Sequence, residues 1–509
     1  MKILAVHPSG LMYTKVFLRL EPLGLELAAQ ALRCAGHEVK LVDLQVTAQR
    51  EYINEIRMWR PDVIAFSCNY LAHIPEVIDL AKTAKEIITG SFVLVGGHCA
   101  SFTAEELLEH SQGAIDCVLK GEGETTAPIL MEAIQHDRKA ISQVPGVVSN
   151  HGCGPLPVLV RSLDEVLPAR DLLRYPRRYF ISDLDPAASI EFSRGCPWDC
   201  SFCSAWTFYS RNYRLKSPQV AVEELARIKE HGVFIVDDVA FIQESHGFEI
   251  GEAIARKGIK KEYHLETRCD VLLRNKEVFK FWKEIGLSYM YLGMEAMDDE
   301  GLQNFRKRIT KDHNFEALEF ARSLGIVVAV NLIVDPNWER QRFEVVRQWC
   351  RGIPEFVNFP VLTPYPGTET WYTESRQLTT RDYRLFDLQH SVLPTKLPLA
   401  DFYEELVETQ MDVYNKITTL AGIFTAAPYV IRSLLRGQTN LLKLFLNYKK
   451  VFHPRKLLAD HDKPVAYKLR MPPQPVEKVD YQLLYIHKAQ EASSSLKTSQ
   501  ADSSSARRI

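Results

Sequence analysis

Two runs of alternating strand and helix, parted by a proline-rich stretch, constrain the fold of this 509-residue chain more than any other feature. In the first run, Lys2–Val6, Glu38–Val42, Asp62–Ser67, Phe92–Val95 and Ile115–Leu119 read as strands. They are short, β-branched and apolar on both faces, as a parallel sheet covered by helices requires. Leu23–Ala35 reads as an amphipathic crossover helix, ended by a turn at Gly36-His37. Five such alternations over residues 1–140 predict a doubly wound, Rossmann-like α/β domain. Ligands of these sheets lie beyond the carboxyl ends of the strands. Here those ends carry Ser67-Cys68-Asn69, Gly96-Gly97-His98 and Gly121-Glu122-Gly123-Glu124. One such loop alone does no more than turn the chain. Three at one edge point to a ligand that approaches the backbone closely.

Residues 141–187 hold Val144-Pro145-Gly146 and Gly154-Pro155-Leu156-Pro157 with little periodicity, and read as a linker. The second run places strands at Ser189–Phe192, Val233–Val236, Tyr263–Glu266, Ser288–Leu292, Val327–Val334 and Phe356–Leu362. Helices such as Pro218–His231 and Asn314–Leu324 fall between them. Six units over residues 188–395 fit a partial (β/α)6 barrel, with its active site at the strand carboxyl ends. Residues 396–488 turn helical, and the Ser-rich stretch 489–509 has the composition of a disordered tail.

Charge and hydropathy narrow the partners. Lys plus Arg number 62 against 64 Asp plus Glu, so nothing favours nucleic acid. No apolar run reaches the ~18 residues of a membrane span, and the first residues lack a signal-peptide pattern, which predicts a cytoplasmic protein. One local bias stands out. Between Asp412 and Asp460 there is no acidic residue, while Lys416, Arg432, Arg436, Lys443, Lys449, Lys450, Arg455 and Lys456 all occur. Val430-Ile431, Leu434-Leu435, Leu441-Leu442 and Phe445 recur beside them at helical spacing. The pattern fits either peripheral contact with the inner face of a membrane or a stripe packed on the barrel under a solvated basic face.

Ten cysteines in a chain without a secretory pattern argue against a disulfide framework. Seven are isolated, and most are expected in apolar strands as small hydrophobes. The other three crowd into Glu191-Phe192-Ser193-Arg194-Gly195-Cys196-Pro197-Trp198-Asp199-Cys200-Ser201-Phe202-Cys203, a CxxxCxxC just after the first barrel strand. Three thiolates at this spacing bind one face of a metal cluster, and leave one iron of a 4Fe-4S cluster open. A structural zinc site needs a fourth Cys or His at matching spacing, and none lies nearby.

This segment resembles the radical S-adenosylmethionine (SAM) enzymes, down to Phe202, the aromatic usual before the third Cys. The resemblance implies a 4Fe-4S cluster on Cys196, Cys200 and Cys203. It also implies SAM on the open iron, cleaved reductively to a 5′-deoxyadenosyl radical that takes hydrogen from an unactivated carbon. Asp237 in Val236-Asp237-Asp238, Arg268 in Glu266-Thr267-Arg268 and Glu295 in Leu292-Gly293-Met294-Glu295 stand at strand ends suited to holding SAM. The Arg268 fork suits a carboxylate, and Glu295 an ammonium or a ribose.

The preceding domain resembles the cobalamin-binding domain of one large subfamily. Ser67, Gly96, Gly97, His98, Gly121 and Glu122 stand where that subfamily packs the nucleotide tail of cobalamin. The Asp-x-His-x-x-Gly loop that ligates cobalt in other cobalamin enzymes is absent. After the first strand stands His7-Pro8-Ser9-Gly10-Leu11, so His7 is either an axial ligand or a strand-end histidine with local hydrogen bonds.

Within the subfamily, Val6 to Thr14 and Leu18 to Glu26 are similar to the hopanoid C-3 methylases, which methylate ring A of pentacyclic triterpenoid lipids. The resemblance spans roughly residues 1–375. It implies methyl transfer from methylcobalamin to a substrate radical, an external electron donor and a second SAM, with the cofactors carrying the hard chemistry. Trp206, Phe208 and Tyr209 either line the reaction space or belong to the core. The alternative within this architecture is an oxidative cyclase or rearrangement enzyme acting on a porphyrin or lipid. A non-catalytic cobalamin sensor would have no use for the three cysteines.

Overall fold

The computed structural model describes residues 1–11, 17–418, 427, 430, 431, 433–470 and 484–487; the expected tail at 489–509 lies outside them. The first alternation forms β1 (Lys2–His7), β2 (Glu38–Asp43), β3 (Val63–Ser67), β4 (Phe92–Gly96) and β5 (Cys117–Leu119). They run parallel in the order β2-β1-β3-β4-β5. Alternate residues of each strand enter different cores: Leu4, Val6, Ile64 and Phe66 on one face, Ile3, Ala5, Val63 and Ala65 on the other. Burial on both faces is why these strands read as unbroken apolar runs. Helices α1 (Leu23–Cys34) and α2 (Gly123–His136) pack together on the second face.

The stretch read as a linker is more than a connection. Val147–Ser149 (β6) and Gly152–Cys153 (β7) form an antiparallel hairpin that extends the first sheet beyond β5. Phe180–Ile181 then pairs antiparallel with Leu18–Arg19. Strands of two or three residues are too short to display a period, so composition hid them.

The second alternation forms β8 (Ala187–Ile190), β9 (Gly232–Ile235), β10 (Glu262–Arg268), β11 (Leu287–Glu295), β12 (Val327–Leu332) and β13 (Phe356–Asn358). All six pair in parallel and in sequence order, as expected of a partial barrel. The helices between follow ordinary capping rules. Helix α3 (Pro218–Arg227) starts with the Ser217 side chain accepting from Val220 N–H and with proline in its first turn. Helix α4 (Lys311–Ser323) opens with Thr310 and His313 capping each other.

Tyr263 and Leu265 of β10, and Met290, Leu292 and Met294 of β11, enter the core shared with these helices. Their alternates, Glu266, Tyr289, Tyr291 and Glu295, face a cavity inside the barrel. Edge strands β8 and β13 do not pair with one another, so among the described residues one side of the barrel has no strand. Helices α5 (Leu399–Thr418), α6 (Asn440–Val451) and α7 (Pro454–Asp460) share the barrel's core through Phe402, Tyr403, Leu406, Tyr414, Tyr448 and Leu457. Of the C-terminal apolar stripe, Leu441 is buried against the barrel's cavity, whereas Ile431, Leu434 and Leu435 are exposed. No helix among the described residues is long and apolar enough to cross a membrane.

Candidate active site at the facing sheet edges

The cysteine loop leaves β8 through a short antiparallel pairing of Ser193–Arg194 with Arg214–Leu215. Gly195 follows at φ 98°, and a Cβ there would lie 1.9 Å from the Asn212 carbonyl oxygen, so only glycine makes this turn. Buried Asp199 pins the middle of the loop. It accepts from Arg308 at 2.6 Å and from Arg211, with Arg306 at 3.6 Å. Trp206 donates its indole N–H to the Cys200 carbonyl at 3.0 Å and is core, whereas Phe208 stacks on His98 at 4.6 Å. Arg268 lies over the Trp198 ring at 4.5 Å. It donates to Asp270 and to the Lys307 carbonyl, and aims Nη1 at Cys200 Sγ, 3.5 Å away. Its fork is thus engaged with the cysteine loop itself.

Burial pushes the Cys196 thiol upward and the Cys203 thiol up to about 12, and the neighbouring cysteines and Asp238 push both further. Thiols raised in this way at Cys196 and Cys203 ionise readily only around a cationic centre, and Cys200 stands between them on the same loop. That is the donor chemistry of an iron–sulfur cluster, and the loop fits one.

Beyond the loop, the strand ends of the barrel carry a ring of carboxylates. Asp237 is spent on the scaffold: its oxygens accept from Phe192 N–H at 2.7 Å and from the Ser193 hydroxyl. Asp238 accepts from Gly195 N–H at 2.8 Å, and its charge reaches Cys196, Cys203 and Glu266. Glu295 sits at φ 65° where the β11–β12 register shifts, and takes the Lys307 ammonium at 3.2 Å. Glu266 opens into the cavity and is accessible from it. Burial, then the charges of Glu295 and Asp238, push its carboxyl up to about 7. Glu266 and Asp238 belong to the Glu266-Thr267-Arg268 and Asp237-Asp238 runs, of which Arg268 and Asp237 were the residues expected to hold SAM. The alternation of β10 would have put Glu266 in the lumen, with Tyr263 and Leu265 outside.

The cavity has a volume of about 830 Å³. It starts at Phe202, Glu266, Glu295 and Tyr365 beside the cysteine loop and passes Tyr289, Tyr291, Asn331 and β13. It ends against Phe17 and the C-terminal helices at Tyr414, Leu441, Leu444 and Tyr448. Phe202 is held edge-on by Phe305 at 5.4 Å. Nothing in the sequence reading identified the helices as a wall of this space.

The strand ends of the first sheet face those of the barrel. Ser67 is buried with its hydroxyl 2.6 Å from His7 Nδ1, and burial pulls the His7 ring down to about 4, so His7 makes the local hydrogen bond. Gly96 is half-buried at the edge, and an added Cβ there would meet nothing nearer than the Leu119 carbonyl at 3.5 Å. Its open backbone fits a large ligand at this edge. Gly97, at φ 114°, is instead required by the chain, because a Cβ would strike Asn69 at 2.6 Å and the Cys68 carbonyl at 2.9 Å. His98 Nε2 lies 2.7 Å from the hydroxyl of Ser204, the residue after Cys203. Gly121 packs under His487, 2.7 Å from where its Cβ would be.

Glu122 is fully engaged within the protein. Arg194 reaches one oxygen at 2.6 Å, Arg214 the other at 2.7 Å, and Val160 N–H donates to it as well. Burial raises the Glu122 carboxyl, but the two guanidinium groups outweigh it and hold it below its ordinary range. The buried charges continue from Arg194 to Glu191 and Glu124, and from Lys216 through Glu224 to Arg170 and Glu21. They run from the first domain through the linker into the barrel.

Comparison with known proteins agrees with this geometry. Residues 11–131 match the B12 binding domain, and residues 190–350 match the radical SAM superfamily. The chain is 62% identical over 491 residues to a hopanoid C-3 methylase from Methylococcus capsulatus, covering 96% of this chain and 95% of that protein. The chain belongs to the hopanoid C-3 methylase family. It is a radical SAM methyltransferase whose two domains take cobalamin, SAM and a 4Fe-4S cluster. An anaerobic magnesium-protoporphyrin IX monomethyl ester cyclase from Cereibacter sphaeroides is 27% identical over 83% of this chain and 71% of its own. Among solved structures, the radical SAM methyltransferase TsrM from Kitasatospora setae superposes with a TM-score of 0.59 at 17% identity, over 74% of this methylase and 76% of TsrM. That likeness shows the shared fold.

Proposed function

We propose that this protein adds a methyl group to an unactivated ring carbon of a polycyclic lipid, at C-3 of hopanoids. The observation that carries the reading is the cavity. It is large, lined chiefly by apolar and aromatic side chains, and begins at Phe202, Glu266 and Glu295 beside the three cysteines. A rigid hydrocarbon skeleton fits such a space, with one end at the reacting centre. When bound, the cluster with SAM supplies a hydrogen-abstracting radical and cobalamin supplies the methyl group.

The chain's own residues then bind, orient and keep the space dry. Cys196, Cys200 and Cys203 hold the cluster, Arg268 fixes their loop, and Phe202 forms the wall between loop and cavity. Glu295 and Asp238 face SAM from the barrel, while Asp237 supports the loop from behind. Ser67, Gly96 and His98 remain at the edge offered to cobalamin, while Gly97, Gly121 and Glu122 serve the scaffold. The reaction needs an external electron donor, and a substrate of this class brings the protein to the inner face of a membrane as a peripheral partner.

Anaerobic reconstitution with iron, sulfide and cobalamin, followed by a hopanoid extract and methyl-labelled SAM, tests the assignment. The expected product is one methylene heavier and carries the label on ring A. A product that gains no label but loses hydrogen would instead mark an oxidative cyclase.

A further inference from the structure

The cavity wall formed by α6 is one helix thick, and its outer side is unlike the rest of the surface. Helix α6 turns Leu441, Leu444 and Tyr448 toward the cavity, with Tyr448 stacked on Tyr414 at 4.6 Å. On its other side Lys443, Leu446 and Lys450 are exposed, Leu446 by 63%. Spacings of three and four residues put these three on one face. The helical stretch before α6 ends in a glycine cap. Gln438 N–H donates to the Ser433 carbonyl and Gly437 N–H to that of Leu434, with Gly437 at φ 75°. This cap leaves Leu435 exposed by 84% with exposed Arg436 beside it.

Exposed large apolar side chains are scarce elsewhere. Among the described residues eleven occur, and four of them, Ile431, Leu434, Leu435 and Leu446, fall between positions 431 and 446. The same stretch lies inside the span with no acidic residue from Asp412 to Asp460. Asp185, from the turn before β8, lies near enough for the Lys443 charge to act on its carboxyl. Clustered leucines amid exposed Arg436, Lys443 and Lys450 are the complement of an anionic lipid surface: the leucines insert and the cations face headgroups.

We propose that α6 and the turn before it rest on an anionic bilayer, so that substrate passes from the acyl phase into the cavity beside α6. The purpose of this contact rests on the lipid-substrate reading; the contact itself is measured without substrate.

The test uses the full-length, cofactor-loaded protein with vesicles of phosphatidylcholine alone, and of phosphatidylcholine and phosphatidylglycerol in equal parts. Cosedimentation is expected with the anionic vesicles, and release at about 0.5 M salt, where screening is strong. Because each cation near the surface contributes about fivefold to partitioning, Arg436→Gln with Lys450→Gln should weaken binding about thirtyfold. Leu435→Asn with Leu446→Asn should abolish it even at low salt, with helicity and iron content confirming that the variant is folded. No binding to either vesicle, or equal binding to both that the Arg436→Gln, Lys450→Gln variant does not change, overturns the proposal. So does a dimer in vesicle-free buffer that the leucine variant splits, which would make this face a contact between copies. Methyl transfer to hopanoid in detergent micelles should be unchanged in both variants. If the parent protein binds vesicles yet methylates no hopanoid, the docking stands and the functional reading falls.

Discussion

The two sheets present the same kind of edge to each other, glycine- and carboxylate-bearing loops at the ends of parallel strands, and spend it differently. At the barrel edge the decisive groups stay turned toward open space: Glu266 and Glu295 line the cavity, and the cysteines stand beside it. At the first sheet's edge much of the polar equipment is already committed. Glu122 is held by two arginines, His98 by Ser204, and Ser67 by His7. The barrel edge thus organises chemistry, while the other edge also has to hold the two halves in register. A residue's position at a strand end says that it can meet a ligand. Its partners say whether it is free to.

The contrast is broken most severely at the cysteines. Changing Cys196, Cys200 and Cys203 to alanine should abolish the 4Fe-4S absorbance after reconstitution and all methyl transfer, while cobalamin still binds residues 1–140. A retained cluster spectrum would show that the ligands lie elsewhere. Next comes Glu122→Ala, which leaves Arg194 and Arg214 buried without their counter-charge. Urea denaturation should show a loss of about 3–5 kcal/mol. If stability instead holds and only cobalamin is lost, Glu122 belongs to the ligand after all.

The glycines sharpen the comparison within one loop. Gly96→Val should fold, keep its cluster and bind cobalamin roughly tenfold more weakly, since about 1.4 kcal/mol of obstruction is tenfold. Gly97→Val should fail to fold, because its side chain strikes Asn69 and the Cys68 carbonyl. It is therefore no test of cofactor contact. Equal cobalamin content in parent and Gly96→Val would move the ligand away from this edge. A pH dependence is expected at Glu266, read on the cofactor-free protein. Its folded carboxyl gives up its proton at about 7 against an ordinary 4.5, so the folded state binds the proton more tightly and stability falls as pH rises between those values. Glu266→Gln removes that fall, and chemical denaturation should show the variant gaining on the parent from pH 5 to pH 8. An unchanged difference across that range would place Glu266 in contact with water.

The strands of the first sheet were legible because burial on two faces writes a continuous apolar run. The cysteine loop was legible because its spacing belongs to no regular element. Interdomain pairs were not: Glu122 and Arg194 lie 72 residues apart, and no local pattern encodes which arginine a carboxylate will meet. The isolated cysteines were misplaced for a related reason. They were expected mostly in strands, yet Cys34, Cys99, Cys269 and Cys350 lie in helices and only Cys117 and Cys153 in strands. A small hydrophobe fits any buried surface, so it carries no period of its own.

The chain of buried charges from Glu21 to Glu122 bears on where this protein can be cut. Lys216 has no exposure at all, and its partner Glu224 also holds Arg170, which in turn reaches Glu21 ahead of α1. Cleavage near residue 140 would give a front fragment with Glu21, Glu122 and Glu124 stripped of their cations. The rear fragment would keep Arg194 and Arg214 without Glu122. Neither piece inherits a neutral boundary, and the front core would also lose Trp371, Tyr383, Phe386 and Leu469, which pack into it from the rear of the chain. Recombinant halves should therefore be soluble only when made together.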